Sequence, residues 1–222
     1  MKIILPQVDY VFDCGQDKCC SIVLEKQELF YRVLEDLAHQ IQGEEGTSVL
    51  SEDDKLLSFA KNGELLSQFI PFDMNKKALL TKITAKLNQL AVTEQFYERT
   101  QELLAEWEKY LMELSLELVG SFEFSKISAD SLLKAAGLHI DDMYDNLGEE
   151  LLDYFELVQE YEGRKLFVLV NLRSYMSDED MEEFMENILA RGIQLLMLEG
   201  AERKPLHSEK RYIVDADLCL IC

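Results

Sequence analysis

The stretch KLFVLVNL, from Lys165 to Leu172, sets the tightest limit on what this chain can fold into. Its apolar side chains fall at consecutive positions rather than alternate ones. A strand written this way has both faces buried, which is characteristic of a parallel sheet covered by helices on two sides. Parallel neighbours need a crossover, and the following stretch SDEDMEEFMENILARG reads as one. Ser177 can cap that helix, and Asp178, Glu179 and Asp180 suit the positive end of its dipole. Ile193–Glu199 is predicted to be a second buried strand, and Tyr212–Ile221 a third that completes the sheet. The fold class is therefore α/β.

Upstream, Lys2–Leu5 reads as a short strand, and two strands flank a turn at Gly15-Gln16-Asp17 as a hairpin. From Lys26, apolar residues recur at helical spacing (Leu29, Val33, Leu37) until Gly43. Thr47–Leu50 and Phe59–Ala60 read as small strand pieces, and Leu66–Pro71 as a buried strand leading to a helix capped by Asn75. From Lys76 to about Gly120 the helical pattern runs with neither Pro nor Gly to interrupt it, which predicts long helices rather than helices packed on the sheet. Shorter helices are expected at 130–136, ended by Gly137, and up to Gly163. The expected organisation is an α/β head of residues 1–75 and 138–222, with an inserted all-α segment, 76–137.

Nucleotide hydrolysis is the first activity to test against such a fold. The required Gly-x4-Gly-Lys-Ser/Thr loop is missing, and where an acid would close the strand and help hold magnesium there is Asn171. The three histidines, His39, His139 and His207, belong to no nucleophile motif. Of the five cysteines, Cys219 and Cys222 form a CxxC that Cys19 and Cys20 could complete as a zinc site, but DLCLIC reads as an apolar strand in which cysteine acts as a small hydrophobe. The N-terminus does not read as a signal peptide and no apolar run is long enough to span a bilayer, so a soluble cytoplasmic protein without membrane partners is expected.

A formal charge of −21 excludes a diffusely basic nucleic-acid binder, so any DNA contact must come from a local cluster of lysines. Lys18, Lys55 and Lys61 lie in the N-terminal part, Lys76, Lys77, Lys82 and Lys86 line the first long helix, and Lys126 and Lys134 lie near its end. Such lysines serve either solvation or duplex backbone contact. Around the helix break at Gly120, Glu117, Glu123 and Asp130 are either solvated acids or oxygen ligands for calcium.

The phrases FIPFDMNKKALLTKI, LLKAAGLHI, RKLFVLVNLRSYMSDEDMEEF and IQLLMLEG, in this order, resemble the Csn2 family of type II-A CRISPR-associated adaptation proteins. The resemblance implies a degenerate P-loop-ATPase-like α/β head with an inserted α-helical leg. It also implies a homotetrameric ring around double-stranded DNA, held in shape by calcium. Such a ring acts without catalysis in spacer acquisition, beside the CRISPR integrase and effector nuclease proteins. Glu117 and Glu123 match the family's acid-rich junction, and Asp130 is added by proximity. Lys18, Lys55, Lys61, Lys76 and Lys134 are the expected DNA contacts, selected by placement. A nucleotide hydrolase with an unrecognised phosphate loop and a protein-docking scaffold are the competing readings.

Overall fold

The computed structural model describes residues 1–15, 17–141 and 143–221. In chain order its elements are β1 (Lys2–Ile4), β2 (Val11–Asp13), β3 (Cys19–Leu24), α1 (Gln27–Ile41), β4 (Val49–Glu52) and β5 (Lys55–Leu57). There follow α2 (Phe59–Asn62), β6 (Gly63–Leu66), α3 (Lys77–Ala91), α4 (Tyr97–Leu116), α5 (Ala129–Ala136) and α6 (Leu147–Glu162). The chain ends with β7 (Leu166–Val170), a 3-10 turn (Leu172–Ser174), α7 (Asp178–Ala190), β8 (Gln194–Glu199), β9 (Glu209–Val214) and β10 (Leu220–Ile221). Two compact units result, Met1–Phe72 with Asp142–Cys222, and Asp73–Asp141.

The first unit is mixed α/β. Its six-stranded sheet has the order β10-β9-β3-β8-β7-β6, parallel throughout except for the antiparallel edge strand β10. The apolar runs of β3, β7 and β8 occupy its centre because alternate residues serve opposite faces. Ile22, Leu24, Leu166, Val168, Leu196 and Leu198 share a core with Leu29, Val33 and Leu37 of α1, and with Ile3, Phe12 and Leu50 of a four-stranded antiparallel sheet, β2-β1-β4-β5. Phe167 points the other way and stacks on Phe155 of α6, ring centroids 4.0 Å apart. Phe155 also meets Phe184 of α7, so α6 and α7 cover that second face.

Several local expectations are corrected. β2 and β3 form no hairpin: β2 pairs with β1, and β3 with β8 and β9. The turn expected between them includes Gln16, which lies outside the described residues. Phe59–Ala60 belongs to a helical turn, closed by Asn62, whose backbone and side-chain N–H groups both donate to the Ser58 carbonyl (3.0 and 2.8 Å). Leu66 ends β6 instead of starting a strand: the pairing with β7 runs from Gly63 to Leu66, and the chain beyond is irregular. A strand at β5 was not expected. Asp53 and Asp54, with φ of 48° and 60°, turn β4 back into it. The expected strand Tyr212–Ile221 divides into β9 and β10, because Asp215 Oδ1 accepts the N–H groups of Asp217 and Cys219 and holds a turn between them.

The second unit consists of α3, α4 and α5. The long helical pattern is interrupted at Val92–Phe96 without Gly or Pro. Thr93 is responsible: its hydroxyl donates to Leu90 O (2.7 Å), and its carbonyl accepts from Phe96 and Tyr97. Asn75 caps no helix. Its carboxamide pairs with the backbone of Ile140 instead, accepting the N–H at 2.7 Å and donating to the carbonyl at 3.2 Å. α5 is capped by Ser128 and ends on Gly137 at φ 67°, a left-handed position suited to glycine.

Phe155 sits between Phe167 and Phe184 with no solvent exposure. Phe155→Ala should therefore cost about 3–5 kcal/mol of unfolding free energy, read as a lowered urea midpoint at unchanged slope.

Candidate nucleic-acid interface and the carboxyl edge of the sheet

Helix α3, KALLTKITAKLNQLA, carries Lys77, Lys82 and Lys86 and no acidic residue. α6 and α7 instead carry acids throughout and no lysine or arginine. All three α3 lysines are exposed. The apolar side of α3 faces its neighbours: Leu79 is buried, and Leu87 and the more exposed Leu90 line an open cavity of about 330 Å³ with residues of α4 and α5. Lys77 and Lys134 border an adjoining groove of about 490 Å³ between α3 and α5, beside Thr81, Thr84 and Asn88.

The five lysines selected from sequence divide between the units. Lys76 precedes α3 and Lys134 lies on α5, where its ammonium bonds Asp130 Oδ2 at 2.6 Å. Lys18 leads into β3 and donates to His207 O (2.8 Å), Lys55 is on the exposed strand β5, and Lys61 is in the last turn of α2. Among the described residues no hydrogen bond joins these three. Lys77, Lys82 and Lys86 were visible in the sequence, but the absence of acid on their helix depended on knowing where α3 ends and α4 begins.

The acids expected around the helix break are not assembled. Glu117 is the C-cap of α4, and Glu123 lines a shallow groove with Phe122, Phe124 and Met112. Asp130 already has both oxygens engaged, one by Lys134 and one by Asn88 Nδ2 (2.8 Å), and its carboxyl is held below the usual carboxylate range by Lys134 first. Among the described residues no three His, Cys, Asp or Glu side chains converge as a metal would require. As placed, Glu117, Glu123 and Asp130 do not fit a calcium site. Cys19 and Cys20 are buried and Cys219 is exposed, while Cys222 lies outside the described residues.

At the carboxyl edge of the parallel sheet, β3 passes through Glu25 and Lys26 straight into α1, with no glycine loop to cradle a phosphate. Asn171, which follows β7, is in the left-handed conformation (φ 54°), which asparagine tolerates. Its N–H donates to Leu198 O and its Oδ1 accepts from Gly200 N–H, both at 2.9 Å. The carboxamide thus stitches β7 to β8, and the Phe30 ring lies 3.8 Å from where a Cβ on Gly200 would stand. Next to this stitch, Arg173 is buried. Its backbone N–H donates to Glu199 Oε1 (3.2 Å), its Nη2 donates to Asp178 (2.8 Å), and its Nη1 is 3.6 Å from Glu209. Arg173 Nε and Glu209 Oε1 have no hydrogen-bond partner among the described residues. The guanidinium thus reaches Asp178 and Glu209, while Glu199 is bonded only by the backbone of Arg173. Burial pushes Glu199 up to about 7, with Glu209 adding to the rise and Arg173 and Arg203 opposing it.

The family model described as CRISPR-associated protein (Cas_Csn2) matches residues 40–218. A CRISPR-associated protein Csn2 of Enterococcus faecalis is 22% identical over 211 residues, spanning 92% of this chain and 91% of that protein. Among solved structures, Stu0660 of Streptococcus thermophilus superposes with a TM-score of 0.55 at 14% identity, covering 89% of this chain and 68% of the other. At that identity the likeness is one of fold. No helix among the described residues is long and apolar enough to cross a membrane.

Unfolded, Glu199 loses its proton near 4.5, whereas the folded protein holds it to about 7. The folded state therefore binds more protons across that window, and this contribution to stability is lost as pH rises through it. Glu199→Gln keeps an acceptor for Arg173 N–H and cannot ionise. It should leave the melting temperature almost unchanged at pH 4.5 and raise stability by on the order of 1–3 kcal/mol at pH 8.

Proposed function

Because the chain belongs to the Csn2 family of CRISPR-associated proteins, we propose that it binds double-stranded DNA without regard to sequence, as a homotetrameric ring that supports spacer acquisition. In this reading the first unit is a P-loop-ATPase-like head that has lost its chemistry, and residues 73–141 are its helical leg. The observation that carries it is α3, a helix with three exposed lysines and no acid in a chain of net charge −21. Against that average charge a single copy offers a duplex too few cations. Four copies around one axis multiply the patch while their acidic helices face solvent, and release of counterions from the duplex supplies the affinity. The partners are the duplex, further copies of the chain and the CRISPR integrase and effector nuclease proteins, all in the cytoplasm.

A non-catalytic role is supported by the carboxyl edge of the sheet. Magnesium there would meet a carboxamide already bonded to Gly200, and phosphates would meet a β3–α1 connection without glycine. Calcium, which the sequence resemblance implies, has no step in this proposal, since Glu117, Glu123 and Asp130 do not converge.

The triple variant Lys77→Gln, Lys82→Gln, Lys86→Gln should weaken binding to linear duplexes equally across sequences. The log–log salt slope should become shallower by about 0.9 for every phosphate contact removed, measured by fluorescence anisotropy from low to moderate salt. An unchanged slope refutes the lysine interface. Separately, incubation with magnesium and nucleoside triphosphate should yield no turnover; hydrolysis lost in Asn171→Ala would restore the enzyme reading. Native mass spectrometry should find four copies, and a monomer at all concentrations would remove the ring.

A further inference from the structure

Lys134 and Asp130 stand one turn apart on α5, and the ammonium donates to Asp130 Oδ2 at 2.6 Å. The other carboxylate oxygen accepts from Asn88 Nδ2 of α3 at 2.8 Å. Asp130 is thus held from two helices, whereas among the described residues Lys134 is bonded only to Asp130. Both side chains reach solvent, Lys134 at 69% and Asp130 at 47% exposure. Lys134 and Lys77 border the groove between α3 and α5, and Asp130 is the one acid that lines it. The α3 lysines differ from Lys134 in one respect: among the described residues Lys77, Lys82 and Lys86 enter no ion pair.

A lysine adds to duplex affinity by displacing counterions condensed on the phosphates. What counts is therefore positive charge that no nearby carboxylate already matches. Lys77, Lys82 and Lys86 each bring a whole charge, and Lys134 with Asp130 brings none. A phosphate approaching Lys134 meets a carboxylate oxygen already at hydrogen-bond distance from the ammonium, in the place its own oxygen would take. Exposure to solvent makes such a pair weak, and an untethered carboxylate would swing aside. Asp130 is tethered, because Asn88 engages its second oxygen. The competing charge stays at the site even when its bond to Lys134 is broken.

We propose that Asp130 is a built-in substitute for phosphate that silences Lys134 toward the duplex. The inference rests on the DNA-binding reading and deepens it. It withdraws Lys134 from the contacts and leaves the salt dependence to lysines without an acid partner. It also leaves the surface with a lysine in reserve, which enters contact once the charge on Asp130 is removed.

Fluorescence anisotropy on one linear duplex, followed from low to moderate salt, tests this. Lys134→Gln alone should leave the log–log salt slope unchanged. Asp130→Asn keeps an acceptor for Asn88 and carries no charge. It should steepen the slope by about 0.9 for each Lys134 that gains a phosphate, and tighten binding at low salt on the order of threefold or more. In the double variant Asp130→Asn, Lys134→Gln both gains should vanish. Glu98→Gln removes an exposed carboxylate of α4, so it controls for the change in net charge and should leave the slope alone. Melting temperatures establish that each variant is folded. The inference is overturned if Asp130→Asn leaves the slope unchanged, if the gain survives without Lys134, or if Lys134→Gln alone makes the slope shallower. Those outcomes leave the DNA-binding reading standing, provided that the slope still depends on the α3 lysines. A wild-type protein that binds no duplex at any salt overturns both.

Discussion

The central strands β3, β7 and β8 have no face that can be left in water, and the rest of the first unit follows from this. A single layer of helices would cover half of the apolar surface. α1 with the small antiparallel sheet takes one side, and α6 with α7 takes the other. Polar groups at the carboxyl edge then come under the same constraint, since the covering elements remove water from them as well. Asn171, Arg173 and Glu199 answer it by bonding one another's strands and turns. A position that could have held a metal-binding acid is occupied in tying β7 to β8, so architecture has taken over a place where chemistry is commonly found.

Charge is distributed with the same economy. α6 and α7 pack their apolar sides on the sheet and turn an almost continuous acidic surface outward, which accounts for much of the net charge of −21. α3 departs from this pattern. Its lysines stand in a field that opposes polyanion binding at long range, so the duplex contact proposed above requires short range and repetition across copies. The same field disfavours non-specific adhesion of nucleic acid to the remaining surface.

Much of this was legible in the sequence because the governing signals are local. The run from Lys165 to Leu172 announced a strand buried on both faces, and Ser177 followed by three acids announced the start of α7. That β7 is followed by Asn171 and not by an acid was equally plain. Other features depended on bonds between distant or competing groups. Thr93 ends one helix and starts the next through its own hydroxyl and carbonyl, against a helical pattern that continues through it. Asn75 has the composition of a helix cap, yet its amide is committed to Ile140, 65 residues away. Asp130 reads as a free carboxylate until Lys134 and Asn88 are placed on it, bonds that the acids around Gly120 do not announce in the sequence.

Residues 73–141 show how one small unit can carry two unlike surfaces. Burying an apolar row stabilises by about 25 cal/mol per Å², so helices of a short bundle are expected to turn their apolar rows inward. α3 does so, and its outward side is left cationic. α4 has more apolar residues than the bundle covers, and leaves Trp107, Tyr110 and Leu114 each between 43% and 49% exposed. Leaving that row exposed is unfavourable in the isolated chain and becomes favourable only when something complementary covers it.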